Sequence, residues 1–535
     1  MSGHGVNRSL GGSDAILRGY GPLAALIVLF GLITALTPTV SSEHIVTTST
    51  GGRAGSTIAA GSDERTVTSG GGAVVGPASG GGTAEPCKDR PRQIPSDPYS
   101  PPCIAFAGDN GGKTTRGVDA KTIKLTYRLT TDPSLQDAIA TVGGGDALDS
   151  PEAVERTAYG LIEYFNSRFQ FYGRKLKLVP FQGRGQLSTE LLGGGQDAAN
   201  NDAIKVAKEV APFADISAIS QPYSDALSRE KVLAFGAPYM SRQWFTQRRP
   251  YVWSLAPDCT KLTEMIAGYA NKRVFCFPAA YAGGDLKGKP RKIAIIAPDN
   301  PVYQECVDDG TARIKRYGHS YAARESYTLD IASLSSQAAS LVAKLSSQGI
   351  TTVACACDPI LPIFMTAKAR EQGWTPEWNV LGTALTDVDI VGQLYDQEQW
   401  SHAFGISALG KLEPLRGSFG YKAYKSVRSD EPALIVDLLY YSFYLAAVGI
   451  HMAGPDLTPE TFEKGMFAYP GGEGIAGRWK FGPGDYTPME DAREIWWDPQ
   501  AISIQNGEPG AYRGTSEKRY TGDGWPRQQA PVFQR

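Results

Sequence analysis

Several segments come close to reactive motifs, and each fails on a specific residue. Gly283-Gly-Asp-Leu-Lys-Gly288-Lys289-Pro290 has the glycine and lysine order of a phosphate loop. A proline stands where a serine or threonine hydroxyl must hold magnesium, and a strand pattern follows it rather than a helix. Gly472-Glu-Gly474-Ile-Ala-Gly477 fits the dinucleotide spacing, yet the Trp/Phe strand after it offers no helix N-terminus to a pyrophosphate. The five histidines, His4, His44, His319, His402 and His451, share no spacing suited to a metal or a triad. Cys355-Ala-Cys357 has no second cluster and no nearby histidine, which makes it a poor zinc site. Neither G-x-S-x-G nor H-E-x-x-H occurs. No catalytic residue, metal site or cofactor is therefore expected, and binding is the chemistry left to explain.

The whole-chain numbers narrow the partners. With 535 residues, 53 Lys+Arg against 55 Asp+Glu and a net charge of −2, the chain lacks the cationic excess that phosphate contacts demand, so no nucleic-acid partner is expected. An uncharged apolar stretch runs from Tyr20 to Val40, with Arg8 and Arg18 before it and Glu43 after it. About 20 apolar residues span a bilayer core, and basic residues stay cytoplasmic. Residues 1–20 are thus expected in the cytoplasm, 21–40 as a transmembrane signal anchor, with a cleaved secretory signal peptide as the alternative, and the remainder outside. Residues 41–115 alternate glycine runs with Ser, Thr and Pro and show no apolar period, the composition of a disordered linker.

Export makes disulfides expected. Cys87, Cys103, Cys259 and Cys276 are the candidates, with Cys87–Cys103 the best pairing because both lie outside the main core. Connectivity is otherwise open. Seven cysteines is an odd number, so at least one thiol is free or pairs between chains.

Stepping along residues 116–535, apolar strands alternate with amphipathic helices. Ile123–Leu129, Lys175–Val179, Asp215–Ile219 and Val232–Phe235 read as strands, with helices at 151–169 and 198–210. A second set begins at Arg291 with Lys292-Ile-Ala-Ile-Ile-Ala297, and its helices end at Gly318, Gly349 and Gly373. Such alternation implies an α/β fold of parallel sheets covered on both faces. Two sets imply two lobes, about 116–255 and 256–400, each completed by returning segments. The apolar run from Ala433 to Met452 carries Asp437, Ser442 and tyrosines, and is expected as a helix buried between the lobes rather than a second span.

The order and wording of these pieces resemble type I periplasmic solute-binding proteins of the leucine/isoleucine/valine-binding branch. Gly117-Val-Asp-Ala-Lys-Thr-Ile-Lys is similar to that family's opening, and Tyr164-Phe-Asn-Ser with Tyr172-Gly-Arg-Lys-Leu-Lys-Leu to its first helix and second strand. Glu371-Gln-Gly-Trp-Thr-Pro and Gly474-Ile-Ala-Gly477-Arg-Trp-Lys-Phe-Gly-Pro-Gly-Asp485 match its late features. The resemblance implies two α/β lobes on a three-strand hinge that close over one small ligand, and it implies where the ligand is held. In the first lobe these positions are Gln221, Tyr223 and Ser224, then Tyr239, Ser241 and Arg242. Ser224 could cap its helix or donate to a carboxylate; Arg242 could pair with an anion or lie exposed. In the second lobe they are Tyr303, Asp358, Thr383 and Asp387, where an Asp would suit an ammonium group. Tyr223, Tyr239, Trp244 and Tyr303 suggest a larger or more aromatic ligand than a branched-chain amino acid.

The chain departs from that family in its long loop between Thr130 and Ser150, in an insertion at 275–290 and in the expected anchor. The expectation is an extracellular, membrane-tethered substrate-binding protein that takes an amino acid, amide or organic acid and hands it to an ABC permease. The alternative is a sensing ectodomain or surface interaction protein with the same fold and no transport.

Overall fold

The computed structural model describes residues 81–130, 149–191, 194–411 and 413–530. The expected anchor at 21–40, the linker up to residue 80 and the glycine-bearing loop at 143–145 lie outside the described residues.

The first lobe is built on a five-stranded parallel sheet. Its strands are β3 (Thr122–Leu129), β4 (Lys175–Gln182), β5 (Ala214–Ala218), β6 (Leu233–Gly236) and β7 (Val252–Trp253), in the order β4-β3-β5-β6-β7. Helices cover it: α1 (Pro151–Arg168), α2 (Leu187–Leu191), α3 (Gln196–Lys205), α4 (Gln221–Arg229) and α5 (Arg242–Gln247). Helix α1 starts where the Ser150 side chain accepts from the Ala153 N–H, and it turns Leu161 and Phe165 into the core.

The second lobe carries a seven-stranded mixed sheet. Its parallel part is β8 (Ile293–Pro298), β9 (Ala323–Tyr327), β10 (Thr352–Cys355), β11 (Glu377–Val380) and β12 (Ala403–Ser407). An antiparallel hairpin, β15 (Ala492–Ile502) and β16 (Pro509–Tyr520), extends it beyond β12. Helices α6 (Cys259–Tyr269), α7 (Pro301–Arg316), α8 (Ile331–Ser347) and α9 (Leu361–Glu371) pack on this sheet. The chain then returns to the first lobe through α10 (Phe419–Lys425), α11 (Val436–Ala453), α12 (Pro459–Ala468) and the small ribbon β13 (Gly472–Gly474) and β14 (Gly477–Trp479). Crossings between lobes therefore fall between β7 and α6, between β12 and α10, and between β14 and β15. Lys261 ties the first crossing to the last, with its ammonium 2.8 Å from both Asp485 and Glu490 and 2.9 Å from the Thr487 carbonyl.

Three expectations need correction. The disordered linker does not extend to 115: β1 (Thr83–Pro86) pairs with β2 (Ile104–Ala107), and the segment between them docks on the first lobe. Tyr99 is 2% exposed and donates to the Gly477 carbonyl at 2.7 Å, while Asp97 accepts from Tyr444. Polar composition concealed these few anchoring side chains. Helix α11 is buried, but inside the first lobe's core against α1, α10 and α12 rather than between the lobes. Cys276 does not join a disulfide. Cys259 pairs with Cys306, Cys87 with Cys103 and Cys355 with Cys357, leaving Cys276 as an exposed thiol. The reason is helical geometry: Cys259 opens α6, α7 lies alongside it, and Cys276 sits 17 residues further on, roughly 25 Å away at helical rise.

Candidate ligand-binding site

Between the lobes lies a cavity of about 170 Å³. It opens at the carboxyl ends of the parallel strands, where open α/β sheets present their loops. From the first lobe, the turn after β5 supplies Ile219 and Gln221, and the turn after β6 supplies Pro238, Tyr239 and Met240. From the second, the turn after β8 supplies Asn300, Val302 and Tyr303, β10 leads to Asp358, and β11 leads to Leu381 and Thr383.

Local capping sets these positions. The Asn300 side chain accepts from the Val302 N–H at 3.0 Å and starts α7, so Tyr303 falls in the first turn facing the cleft. Asp358 accepts from the Ile360 N–H at 2.7 Å and from Leu361 at 3.3 Å, and takes a hydrogen bond from the Tyr327 hydroxyl. Burial pushes the Asp358 carboxyl above the usual carboxylate range, against the opposing pull of these donors. Tyr239 reaches across the cleft to lie beside the Ala384 backbone. Tyr239, Ala384 and Leu385 all have positive φ, at 59°, 47° and 64°. Strained backbone of this kind clusters where ligands are clamped.

Of the ten positions expected to hold ligand, Gln221, Tyr239, Tyr303, Asp358 and Thr383 line the cavity. Tyr223, Ser224, Ser241, Arg242 and Asp387 do not. Tyr223 points into the first lobe and donates to Asp215 at 2.8 Å, and the Ser224 hydroxyl donates back to the Ala218 carbonyl at 2.5 Å. Ser241 caps α5 by accepting from the Trp244 N–H at 3.1 Å. Arg242 leans on Asp258 at 3.4 Å, and Asp387 accepts from Ser407 at 2.5 Å. In each case the strand end was located, but the local backbone of the turn or helix sends the side chain to the sheet or a helix terminus.

Other wall residues carried no sequence signal. Glu190 on α2 lines the cavity, is 1% exposed and accepts from Arg128 on β3 at 2.8 and 2.6 Å. Ser220 donates to the same carboxylate. Thr311 lies in the middle of α7, and Tyr321 precedes β9. Burial raises the Tyr321 hydroxyl to about 12. The Cys259–Cys306 disulfide forms part of the wall. Only the strand-to-helix turns were readable; a residue in mid-helix or 62 positions from its partner was not.

A family model described as periplasmic binding protein matches residues 138–498. No curated protein sequence matches the chain. Solved structures match at the level of the fold. The leucine-, isoleucine-, valine-, threonine- and alanine-binding protein of Brucella ovis, in its closed conformation, is 13% identical, with 78% of this chain and 100% of that chain covered and a TM-score of 0.51. A solute-binding protein of an ABC transporter from Rhodopseudomonas palustris HaA2, in complex with p-hydroxybenzoic acid, is 11% identical over 75% and 98% of the two chains, with a TM-score of 0.51. A leucine-binding protein from Thermotoga maritima is 14% identical over 75% and 99%, with a TM-score of 0.50.

Proposed function

The chain belongs to the periplasmic binding protein family, and from that premise we propose that it is the solute receptor of an ABC importer. It closes two lobes over one small organic molecule, and the closed form is what the permease recognises. The observation that carries this reading is the single cavity wall drawn from both lobes, Gln221 and Tyr239 on one side and Tyr303 and Thr383 on the other. A ligand touching both sides stabilises closure by its differential affinity for the closed state. The amino acids and p-hydroxybenzoic acid named for the structural neighbours set the size of molecule to expect. The apolar segment at 21–40 acts as a membrane anchor that holds the module outside the cell, with the residues up to 80 as its tether.

The experiment is a thermal-shift screen of the full-length chain against amino acids, amides, aromatic alcohols and aromatic acids. A ligand at 100 times its Kd stabilises by about 2.7 kcal/mol. A screen in which no small molecule raises the melting temperature removes the solute-receptor reading.

A further inference from the structure

The chemistry of the cavity wall, taken with the receptor reading on which it rests, narrows the ligand class. Two charged side chains, Glu190 and Asp358, lie in the wall, and both are already satisfied within the protein. Glu190 has the Arg128 guanidinium on both oxygens and Ser220 on one. Asp358 has Tyr327 on one oxygen and two backbone N–H groups on the other. Among the described residues no lysine, arginine or histidine lines the cavity. A ligand carboxylate would therefore enter without a cationic partner, and an ammonium group would have to compete with bonds the fold has made. Burying an ion without such a partner is far costlier than burying a neutral group.

Most of the rest of the wall is apolar and aromatic. Leu191 and Pro238 face Leu262, Ile295, Val302 and Leu381 across the space, with the rings of Tyr239, Tyr303 and Tyr321 around it. Gln221, Asn300 and Thr263 add neutral polar groups, and two further hydroxyls stand apart from these. Thr311 Oγ1 and Thr383 Oγ1 are buried and have no hydrogen-bond partner in the protein. A buried polar atom left unpaired calls for a partner from outside the chain. Size adds a limit: an apolar cavity of roughly 150 Å³ holds benzene, so about 170 Å³ accepts one ring with small substituents.

We propose that the cavity takes an uncharged single-ring aromatic molecule whose hydroxyl groups pair with Thr311 and Thr383, a neutral phenol or aromatic alcohol, in preference to a zwitterion or a carboxylate. Apolar walls bind the ring by removing it from water, and the two threonine hydroxyls fix its orientation.

Isothermal titration calorimetry on the full-length chain at neutral pH tests this with 4-hydroxybenzyl alcohol, its anionic counterpart 4-hydroxybenzoate, and L-leucine. The alcohol is expected to bind at least ten-fold more tightly than either charged probe. Tighter binding of 4-hydroxybenzoate or leucine overturns the proposal and leaves the receptor reading standing. So does binding of some other solute in the screen but none of these three. A screen with no binder at all removes the receptor reading as well. Thr311→Val and Thr383→Val should each weaken the alcohol about ten-fold while the melting temperature of the unliganded protein holds or rises, because neither hydroxyl has a partner to lose. Unchanged affinity in both variants overturns the proposal.

Discussion

Arg128 holds Glu190 through two parallel hydrogen bonds of 2.8 and 2.6 Å at the edge of the inter-lobe cavity. The guanidinium also reaches Asp202 at 3.2 Å and lies 3.7 Å from the centre of the Tyr223 ring. This cluster explains why Tyr223 faces inward: its ring and hydroxyl complete a buried network with Arg128 and Asp215. Burial pushes the Asp215 carboxyl up, with Ser217, Tyr223 and Arg128 opposing. Removing the Glu190 charge leaves the buried Arg128 guanidinium with Asp202 as its remaining ion-pair partner, 3.2 Å away. Glu190→Gln is therefore expected to lower stability by about 2 kcal/mol, measured by urea unfolding at neutral pH. A loss below about 1 kcal/mol, the value of an exposed pair, would show that the network is open to water.

Side chains that line the cavity and side chains that merely sit nearby should separate cleanly in binding. Tyr303→Ala removes an aromatic wall and is expected to weaken a ligand found by the screen at least ten-fold. Ser241→Ala removes a helix cap worth about 1 kcal/mol and should leave affinity within about two-fold. The readouts are calorimetric Kd and the urea midpoint for each variant. A Ser241→Ala protein of normal stability and lost affinity would return that hydroxyl to the site.

The fold was legible where burial forces a pattern. A strand covered on both faces needs an unbroken apolar run, so Lys292-Ile-Ala-Ile-Ile-Ala297 announced β8 (Ile293–Pro298), and the helix-ending glycines marked its neighbours. Strand ends could be found for the same reason, which brought Tyr303, Asp358 and Thr383 into view. What stayed hidden depends on rotation and on long-range contact. Gln221 and Ser224 lie three residues apart on one helix, yet one faces the cavity and the other the Ala218 carbonyl. Glu190 gains its meaning from Arg128, and Thr311 from the lack of any partner, neither of which local sequence encodes.

Disulfide connectivity gives a third prediction. Cys259 and Cys306 are 47 residues apart and close the α6–α7 pair that forms one side of the cavity. By the chain-entropy account a loop of that length stabilises by about 4 kcal/mol. Cys306→Ser should therefore lower the urea midpoint strongly, whereas Cys276→Ser should leave it unchanged. Thiol titration of the unreduced, denatured chain should count one free thiol, and peptide mapping should recover Cys259 joined to Cys306. A Cys259–Cys276 peptide would overturn that connectivity.

His451 sets the expected response to acid. It lies 1% exposed on α11, with Nδ1 3.0 Å from the Gln170 carbonyl and Nε2 2.8 Å from the Pro102 carbonyl. Burial holds its pKa below the ordinary histidine value of 6.5, outweighing the two carbonyls that favour the charged ring. The direction fixes the sign. As pH falls below 6.5 the unfolded chain takes up a proton that the folded chain refuses, so stability falls with it. Once the folded pKa is also passed, the loss stops growing; above 6.5 the contribution is complete and flat. The slope in that window is at most about 1.4 kcal/mol per pH unit for one proton. His451→Gln keeps an N–H for one carbonyl and cannot titrate, so its stability should vary less between about pH 5 and 6.5. The test compares urea-derived stability of the two proteins across that range; parallel curves would mean that His451 titrates alike in the folded and unfolded states. His319 also titrates below its usual range and is unchanged in both proteins, so the difference between the curves isolates His451.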